Sequence, residues 1–347
     1  MKNYDLDDEI RAEHIRKSRS ASKRTLIKEK GDIKKDSSKG IVIAAIGKYI
    51  IVRKLDTKDM FECTIGGTLI TENYKSSLVV VGDIVYFKEE KLPEDQDETD
   101  TGLQFGVIYS VEKRGTMLSR KAPGRSTREL VLAANADYLL LIISVQSPHY
   151  NPRLIDRFLV SAELGGLKSA ICFNKSDLAE DLDQINADFE TYQNLGHKIF
   201  FVSAVNDDLE ELKEFLKNKI TVFAGPSGVG KSTIINKLVG HEAQAVQEIS
   251  ERTNKGQHTT SSVKMFELSD NINIIDTPGV REFATSGLEK DELSLYFHEF
   301  DEYFPNCKFP GCSHIHEPGC AVIAAVESEE INYERYESYV NIYMTME

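Results

Sequence analysis

The alternation of apolar and polar residues divides the chain into four regions with different predicted structures. Residues 1–38 are polar and charged with little apolar periodicity, which is typical of a mobile tail. Residues 39–113 hold short runs rich in β-branched and aromatic residues, separated by glycines, and no helical period fits them. These runs predict a small five-stranded β-barrel of the OB type, with another small β-barrel as the alternative.

The two remaining regions contain helical patterns. In residues 114–285, strand-like apolar runs alternate with amphipathic stretches, which predicts an α/β domain with a mostly parallel sheet. One stretch, DLDQINADFETYQNLG, predicts a single helix. Ligands of such sheets bind at the carboxyl ends of the strands. Residues 286–347 predict a small helical domain interrupted by PNCKFPGCSHIHEPGC.

The composition is that of a soluble multidomain protein. Of the 347 residues, 41% are hydrophobic and 28% are charged, which is an ordinary balance. The sequence lacks the run of about 18 apolar residues that a membrane span needs, and its start lacks the apolar core of a signal peptide. We therefore expect a cytoplasmic protein with no membrane contact, and we expect it to be a monomer.

Charge is distributed unevenly along the chain. The formal net charge of −14 argues against indiscriminate binding to nucleic acids. However, residues 11–35 contain ten Lys and Arg against three acids, and residues 113–128 contain six basic residues and no acid. Because these runs flank a predicted OB-type barrel, they favour contacts with RNA phosphates, with a solvated tail or linker as the alternative.

A glycine-rich segment, GPSGVGKS at 225–232, lies between a predicted strand and a predicted helix. It matches a phosphate-binding loop, in which glycines let backbone N–H groups surround phosphate oxygens at a helix N-terminus. The amine of Lys231 can reach the β and γ phosphates and assist catalysis, and the Ser232 hydroxyl can ligate Mg²⁺. The residues expected to contact the nucleotide here are Gly225, Pro226, Ser227, Gly228, Val229, Gly230, Lys231, Ser232 and Thr233.

Two other segments predict that the base is guanine. In NKSD, the carboxylate of Asp177 can accept from both N1–H and the 2-amino group of guanine, which adenine does not offer. Asn174 can brace this loop, and the stem of Lys175 can lie over the base. In VSA, Ser203 and Ala204 end the next strand, where the N–H of Ala204 can meet guanine O6.

The remaining catalytic elements lie further along the chain. In DTPG, Asp276 can hold the Mg²⁺ shell and the N–H of Gly279 can meet the γ-phosphate. The preceding polar loop, TNKGQHTTSS, offers Thr260 as a second Mg²⁺ ligand, with Thr259 as the alternative. Because an apolar valine follows DTPG, where many GTPases have a glutamine, we expect His258 to orient the attacking water.

The order of these segments is unusual. The base loop and second base loop come first, followed by the phosphate loop, the threonine-bearing loop and DTPG. A conventional GTPase has the last three before the first two, so the two orders differ by one cyclic shift. The sequence therefore predicts a circularly permuted P-loop GTPase domain.

Three of the five cysteines lie close together near the C-terminus, which suggests a metal site in a reducing compartment. Thiolates and an imidazole form a closed donor set suited to one structural zinc ion, with His316 as a competing ligand. Cys63 and Cys172 lie in apolar runs and are expected to pack in cores. The predicted ligands are Cys307, Cys312, His314 and Cys320.

From about residue 38 to 325, the chain resembles the ribosome small-subunit-dependent GTPase A (RsgA) family. The segments that carry the resemblance are NKSD, GPSGVGKSTIINKL, GQHTT, DTPGVREF and CKFPGCSHIHEPGC. The resemblance implies an OB-fold, a permuted GTPase and a zinc-binding helical domain. It also implies hydrolysis of GTP to GDP, stimulated by the small ribosomal subunit and its rRNA late in the maturation of that subunit.

Two other functional classes are kept as alternatives. One is a nucleotide-independent RNA-binding protein with a vestigial G domain, against which the intact Lys231, Ser232, Asp177 and Asp276 argue. The other is a P-loop ATPase or kinase, in which the NKSD match is accidental.

Overall fold

The computed structural model describes residues 37–46, 49–67, 69, 77–92, 99, 101–121, 129–240, 263–277 and 288–346. The basic tail before residue 37 and three predicted site residues lie outside the described residues. Those three residues are His258, Thr260 and Gly279.

The first described domain is a closed five-stranded barrel, as predicted. Its strands are β1 (Ser38–Ile46), β2 (Tyr49–Lys54), β3 (Met60–Ile65), β4 (Ile84–Glu89) and β5 (Gln104–Val111). The strand order is β1-β2-β3-β5-β4, and the barrel closes because β1 also pairs with β4. Alternate residues such as Val52, Phe61 and Phe87 fill the interior, with the two phenyl rings 5.0 Å apart. At Gly40, an added Cβ would lie 2.4 Å from Val52 Cγ1, so only glycine fits this approach.

A two-stranded hairpin, β6 (Met117–Lys121) and β7 (Glu129–Ala134), follows the barrel. A buried ion pair fixes its base to the barrel, because Arg114 Nε lies 2.7 Å from Asp83 Oδ1. Asp83 also accepts a hydrogen bond of 2.8 Å from the N–H of Val80. The hairpin carries part of the second basic run, whose residues 122–128 lie outside the described part of the chain.

The central domain is built on six further strands, in the order β10-β9-β8-β11-β13-β12. All pair in parallel except β12, which is antiparallel to β13. The strands are β8 (Tyr138–Ser144), β9 (Lys168–Asn174), β10 (Lys198–Phe201), β11 (Lys219–Ala224), β12 (Lys264–Leu268) and β13 (Ile272–Asp276). The interior strands are nearly continuous apolar runs because helices cover both faces of the sheet.

In the described residues, five α-helices lie between these strands: α1 (Pro152–Leu164), α2 (Leu182–Asp188), α3 (Glu190–Asn194), α4 (Glu210–Leu216) and α5 (Lys231–Val239). The predicted single helix over DLDQINADFETYQNLG is wrong, since α2 and α3 are separated at Phe189. The backbone of Phe189 leaves the helical region at φ −102° and ψ 9°. Its ring is buried 4.8 Å from the ring of Phe173 on β9, so packing against the sheet takes precedence over helix continuity.

The barrel and the central domain share one sheet. Strand β1 pairs with β12 at Ala44 and Lys264, which joins the two sheets into eleven strands. The sequence did not predict this junction, because nothing in a strand's own pattern identifies its partner in another domain.

The C-terminal domain is helical, as predicted, but much of it is 3₁₀-helix. Its elements are 3₁₀ turns at Lys290–Tyr296, His298–Phe300 and Phe304–Asn306, then α6 (Ala321–Glu327) and α7 (Tyr333–Thr345). Phe297, Phe300 and Tyr339 form an aromatic core with centroids between 5.0 and 5.6 Å apart. None of the helices within the described ranges is long and apolar enough to cross a membrane.

A buried charge network docks α7 on α1. Arg335 forms an ion pair with Asp156 of α1, and its Nε donates to Glu299 Oε1 at 2.7 Å. Tyr192 of α3 donates to the same Asp156 at 2.9 Å, and its ring centroid lies 5.1 Å from the Arg335 guanidinium. Burial alone would lower the pKa of Arg335, but the carboxylates of Asp156 and Glu299 outweigh it and raise that pKa. The guanidinium therefore stays charged inside the interface.

Arg335→Ala is expected to lower the free energy of unfolding by about 3–5 kcal/mol, because it leaves the Asp156 carboxylate buried without its cation. Arg153→Ala is the matched control, since Arg153 and Glu337 form an exposed ion pair between the same two helices. That change is expected to cost at most about 1 kcal/mol. Urea unfolding followed by circular dichroism measures both, and equal losses in the two variants would contradict the assigned role of Arg335.

Candidate functional site

The carboxyl ends of β9, β10, β11 and β13 meet at one edge of the sheet, and the side chain of Asn174 links the loops there. Asn174 is the last residue of β9 and is 2% exposed. Its Nδ2 donates to the carbonyl of Val229 in the phosphate loop at 2.8 Å. Its Oδ1 accepts from the N–H of Ala204 at 3.2 Å. One buried amide thus joins three segments that the sequence predicted to bind one nucleotide.

The base loop presents an exposed carboxylate beside the second base loop. Asp177 accepts a hydrogen bond of 2.6 Å from Ser203 Oγ, which fixes one carboxylate oxygen. Ser203 Oγ accepts in turn from the N–H of Asn206 at 3.3 Å. The N–H of Ala204, expected to face guanine O6, is directed to Asn174 in this structure.

The phosphate loop has the conformation that its glycines predict. Gly225 approaches β8 so closely that an added Cβ would lie 2.0 Å from the carbonyl oxygen of Ile142. Gly230 has φ +88° and faces Asn174, whose Nδ2 would lie 2.2 Å from an added Cβ. Val229 is buried, whereas Ser227 and Gly228 are exposed on the outer side of the loop and Pro226 is half-buried.

Helix α5 begins at Lys231, directly after the phosphate loop. The amine of Lys231 forms an ion pair with Asp276 at the end of β13. Ser232 and Thr233 are exposed in the first turn of α5. The next residue after Asp276 is fixed to the neighbouring strand, because Thr277 Oγ1 donates to the carbonyl of Phe223 at 2.9 Å. The lysine and the carboxylate predicted to serve phosphate and Mg²⁺ are therefore adjacent.

A fifth loop, after β8, lines the same site and was missed by the sequence reasoning. Lys175, in the left-handed conformation at φ +60°, donates to the carbonyls of Ser147 and Gly228, the latter at 2.8 Å. The loop is held by Ser144 Oγ, which donates to the carbonyl of Pro148 at 2.6 Å. The polar segment QSPHYN directly after a buried strand carried the signal, because strand ends at this sheet edge supply the other site residues.

Four side chains converge in the C-terminal domain as predicted. Ligand atoms of Cys307, Cys312, His314 and Cys320 all lie within 4.8 Å of one another. His314 Nδ1 lies 3.6 Å from Cys307 Sγ and 3.4 Å from Cys320 Sγ, and the two sulfurs are 3.9 Å apart. A tetrahedral zinc ion requires about 3.8 Å between sulfurs and about 3.6 Å between sulfur and nitrogen, so the donor set fits zinc. His316 is exposed and lies outside the cluster.

Burial shapes the electrostatics of this cluster. It raises the pKa of the Cys312 thiol to about 12, and it lowers the pKa of His314, which favours the neutral imidazole that a metal requires. Thiolates are therefore costly here unless a cation balances their charge.

A carboxylate that the sequence reasoning did not single out folds the loop between these ligands. Glu317 accepts from the N–H and the hydroxyl of Ser313 at 2.8 and 2.6 Å, and from the N–H of Ile315 at 3.2 Å. Burial acts against the charged form, but these hydrogen bonds hold the pKa of Glu317 well below its usual range. Tyr336 and Tyr339 of α7 donate to the carbonyls of His314 and Ser313, so the last helix supports the metal loop.

Comparison with known proteins agrees with this geometry. A family model described as RsgA GTPase matches residues 111–286. A protein of Chlorobaculum parvum named small ribosomal subunit biogenesis GTPase RsgA is 44% identical over 87% of this chain and 96% of its own length. A protein of the same name from Flavobacterium psychrophilum is 38% identical over 87% of this chain and 91% of its own length.

Two solved structures resemble this chain over most of its length. YjeQ from Thermotoga maritima matches with a TM-score of 0.64 and 32% identity, covering 89% of this chain and 98% of YjeQ. YloQ, described as a circularly permuted GTPase, matches with a TM-score of 0.65 and 27% identity, covering 91% of this chain and 97% of YloQ. The predicted fold class is thus confirmed. The chain belongs to the RsgA GTPase family, and it is a hydrolase that acts on GTP.

Proposed function

We propose that the chain acts late in the maturation of the small ribosomal subunit, with its GTP hydrolysis stimulated by that subunit. The names of its relatives support the subunit as partner. The single observation that carries the nucleotide part is the Asn174 amide, which joins the base loop to the phosphate loop. This contact sets the Asp177 carboxylate and the Lys231 amine on the same sheet edge, as a guanine nucleotide requires.

The nucleotide roles follow from that arrangement. Asp177 reads the guanine edge, Lys175 supports the base, and Lys231 neutralises charge on the transferred phosphate. Ser232 and Thr260 ligate Mg²⁺ while Asp276 holds its water shell, and bound Mg²⁺ offsets the charge of the phosphates. The other residues assigned to the nucleotide site are Asn174, Ser203, Ala204, Gly225, Pro226, Ser227, Gly228, Val229, Gly230, Thr233 and Gly279.

The remaining assignments concern partner and place. Basic residues of the tail and of the segment around the β6–β7 hairpin contact rRNA phosphates. The protein works in the cytoplasm as a monomer, with a tail over 1–38, a barrel over 39–113, a GTPase domain over 114–285 and a zinc domain over 286–347. The zinc ion is structural, because its four ligands leave no open position for a substrate.

Slow GTP turnover by the free protein is expected to accelerate when purified small subunits are added, and Lys231→Ala should abolish both rates. His258→Ala should keep GTP affinity and subunit binding but lose the acceleration, because the attacking water is no longer oriented. Phosphate release at saturating GTP measures this. Full acceleration in His258→Ala would place the catalytic group elsewhere, and turnover retained in Lys231→Ala would contradict the site itself.

Asp177→Asn is expected to weaken GTP binding at least about tenfold, because a donor now faces a guanine donor. The same change should favour xanthosine triphosphate, whose C2 oxygen accepts that donor. Binding of labelled nucleotides measures the preference, since the chain has no tryptophan. Asp181→Asn is the control, because Asp181 lies just beyond the base loop and caps α2. An unchanged preference in Asp177→Asn would show that this carboxylate does not read the base.

The purified protein is expected to contain about one zinc ion per chain, and Cys312→Ser should reduce that content and loosen the C-terminal domain. His316→Ala is the matched control, because this exposed imidazole lies in the same loop outside the cluster. Metal analysis together with limited proteolysis gives both readouts. Full zinc occupancy in Cys312→Ser, or loss in His316→Ala, would contradict the ligand set.

A further inference from the structure

Strand β12 lies between the barrel and the phosphate site. Its first residue, Lys264, pairs with Ala44 of the barrel on one side and with Asp276 of β13 on the other. Asp276 in turn contacts Lys231 of the phosphate loop. A single row of neighbours across the sheet therefore runs from the barrel to the lysine that serves the phosphates.

The other end of β12 is held by an ion pair to the barrel. Arg53 of β2 contacts Glu267 of β12, and their side chains are only 15% and 26% exposed. Burial raises the pKa of Glu267, and the Arg53 cation opposes that rise. Because the strand pairing between β1 and β12 is confined to Ala44 and Lys264 in the described residues, this ion pair is a second point of attachment at the far end of the strand.

We propose that Arg53 couples the barrel to the phosphate site, acting through Glu267 and β12. Two attachments, one at each end of the strand, make β12 move with the barrel as one body. The pairing of β12 with β13 over Lys264–Leu268 then fixes Asp276 relative to the barrel. This rests on the proposed function in one respect: a subunit that contacts the barrel can act on the Mg²⁺ carboxylate through β12.

Loss of Arg53 or Glu267 is therefore expected to lower the subunit-stimulated rate of GTP hydrolysis without changing GTP binding. Neither Arg53 nor Glu267 lies at the phosphate or base loops, so their loss leaves GTP binding and unstimulated hydrolysis unchanged. The free end of β12 separates from the barrel, and subunit docking no longer repositions Asp276. Mutating residues that carry coupling between two sites changes the coupling by roughly 2- to 30-fold.

The test measures GTP turnover with and without small subunits, KM for GTP, and subunit affinity, for Arg53→Ala, Glu267→Gln and the exchange Arg53→Glu with Glu267→Arg. The single variants should lose about tenfold in stimulated kcat, within that range of coupling, with KM, basal rate and subunit affinity unchanged. The double variant, in which the two charges are exchanged, should recover most of the lost stimulated kcat. Lys54→Ala is the matched control, because Lys54 pairs at 3.0 Å with Glu89, another barrel residue, on the surface of the barrel.

Three results would overturn the proposal. They are undiminished stimulation in Arg53→Ala, a fall in subunit affinity that accounts for the lost rate, and an equal loss in Lys54→Ala. Hydrogen exchange of the β12 amides supplies a readout without subunits, and Arg53→Ala should lose protection in β12 but not in β10. If the unmutated protein is not stimulated by small subunits, the proposed function fails. The hydrogen-exchange measurement still decides whether Arg53 attaches β12 to the barrel.

Discussion

The nucleotide site depends on one buried side-chain amide that forms hydrogen bonds to backbone groups of two loops. Asn174 needs both a donor and an acceptor, because Val229 offers a carbonyl on one side and Ala204 an N–H on the other. An aspartate would place a carboxylate oxygen, an acceptor, against the carbonyl of Val229, and a leucine would leave both backbone groups buried without partners. The mutual placement of the base and phosphate loops, and thus of Asp177 and Lys231, follows from this one side chain.

That contact also explains why the order of segments along the chain does not disturb the site. The Asn174 amide forms hydrogen bonds between loops at the ends of parallel strands. Strands β9, β8 and β11 are neighbours in the sheet whatever their order in the sequence. The chain enters the sheet at β8 and leaves it after β13, so the barrel precedes the base loop and the zinc domain follows DTPG. Because of the permutation, the barrel is connected to the base-binding half of the nucleotide site, and the zinc domain is connected to the phosphate-binding half.

Much of the fold was predictable, because it follows from local patterns of apolar residues and glycines in the sequence. Buried strands such as Leu139–Ile143 are uninterrupted apolar runs, and the phosphate loop requires glycine where a Cβ would collide with Ile142 or Asn174. The break between α2 and α3 was not predictable, since Phe189 leaves the helix only because Phe173 offers a partner ring. The same holds for the contacts of Lys175 and Arg53 and for the β1–β12 junction, which depend on residues far away in the sequence.

The Arg335–Asp156 pair has a consequence for how the protein folds during its own synthesis. Asp156 is synthesised 179 residues before Arg335. At 5 to 20 residues per second, this leaves α1 without its cation for about 10 to 35 seconds. During that interval, the apolar face of α1 that α7 covers is exposed and the carboxylate must remain hydrated. Chains that end before α7 of the C-terminal domain keep this face of α1 exposed, and exposed apolar surface of this kind is what chaperones bind.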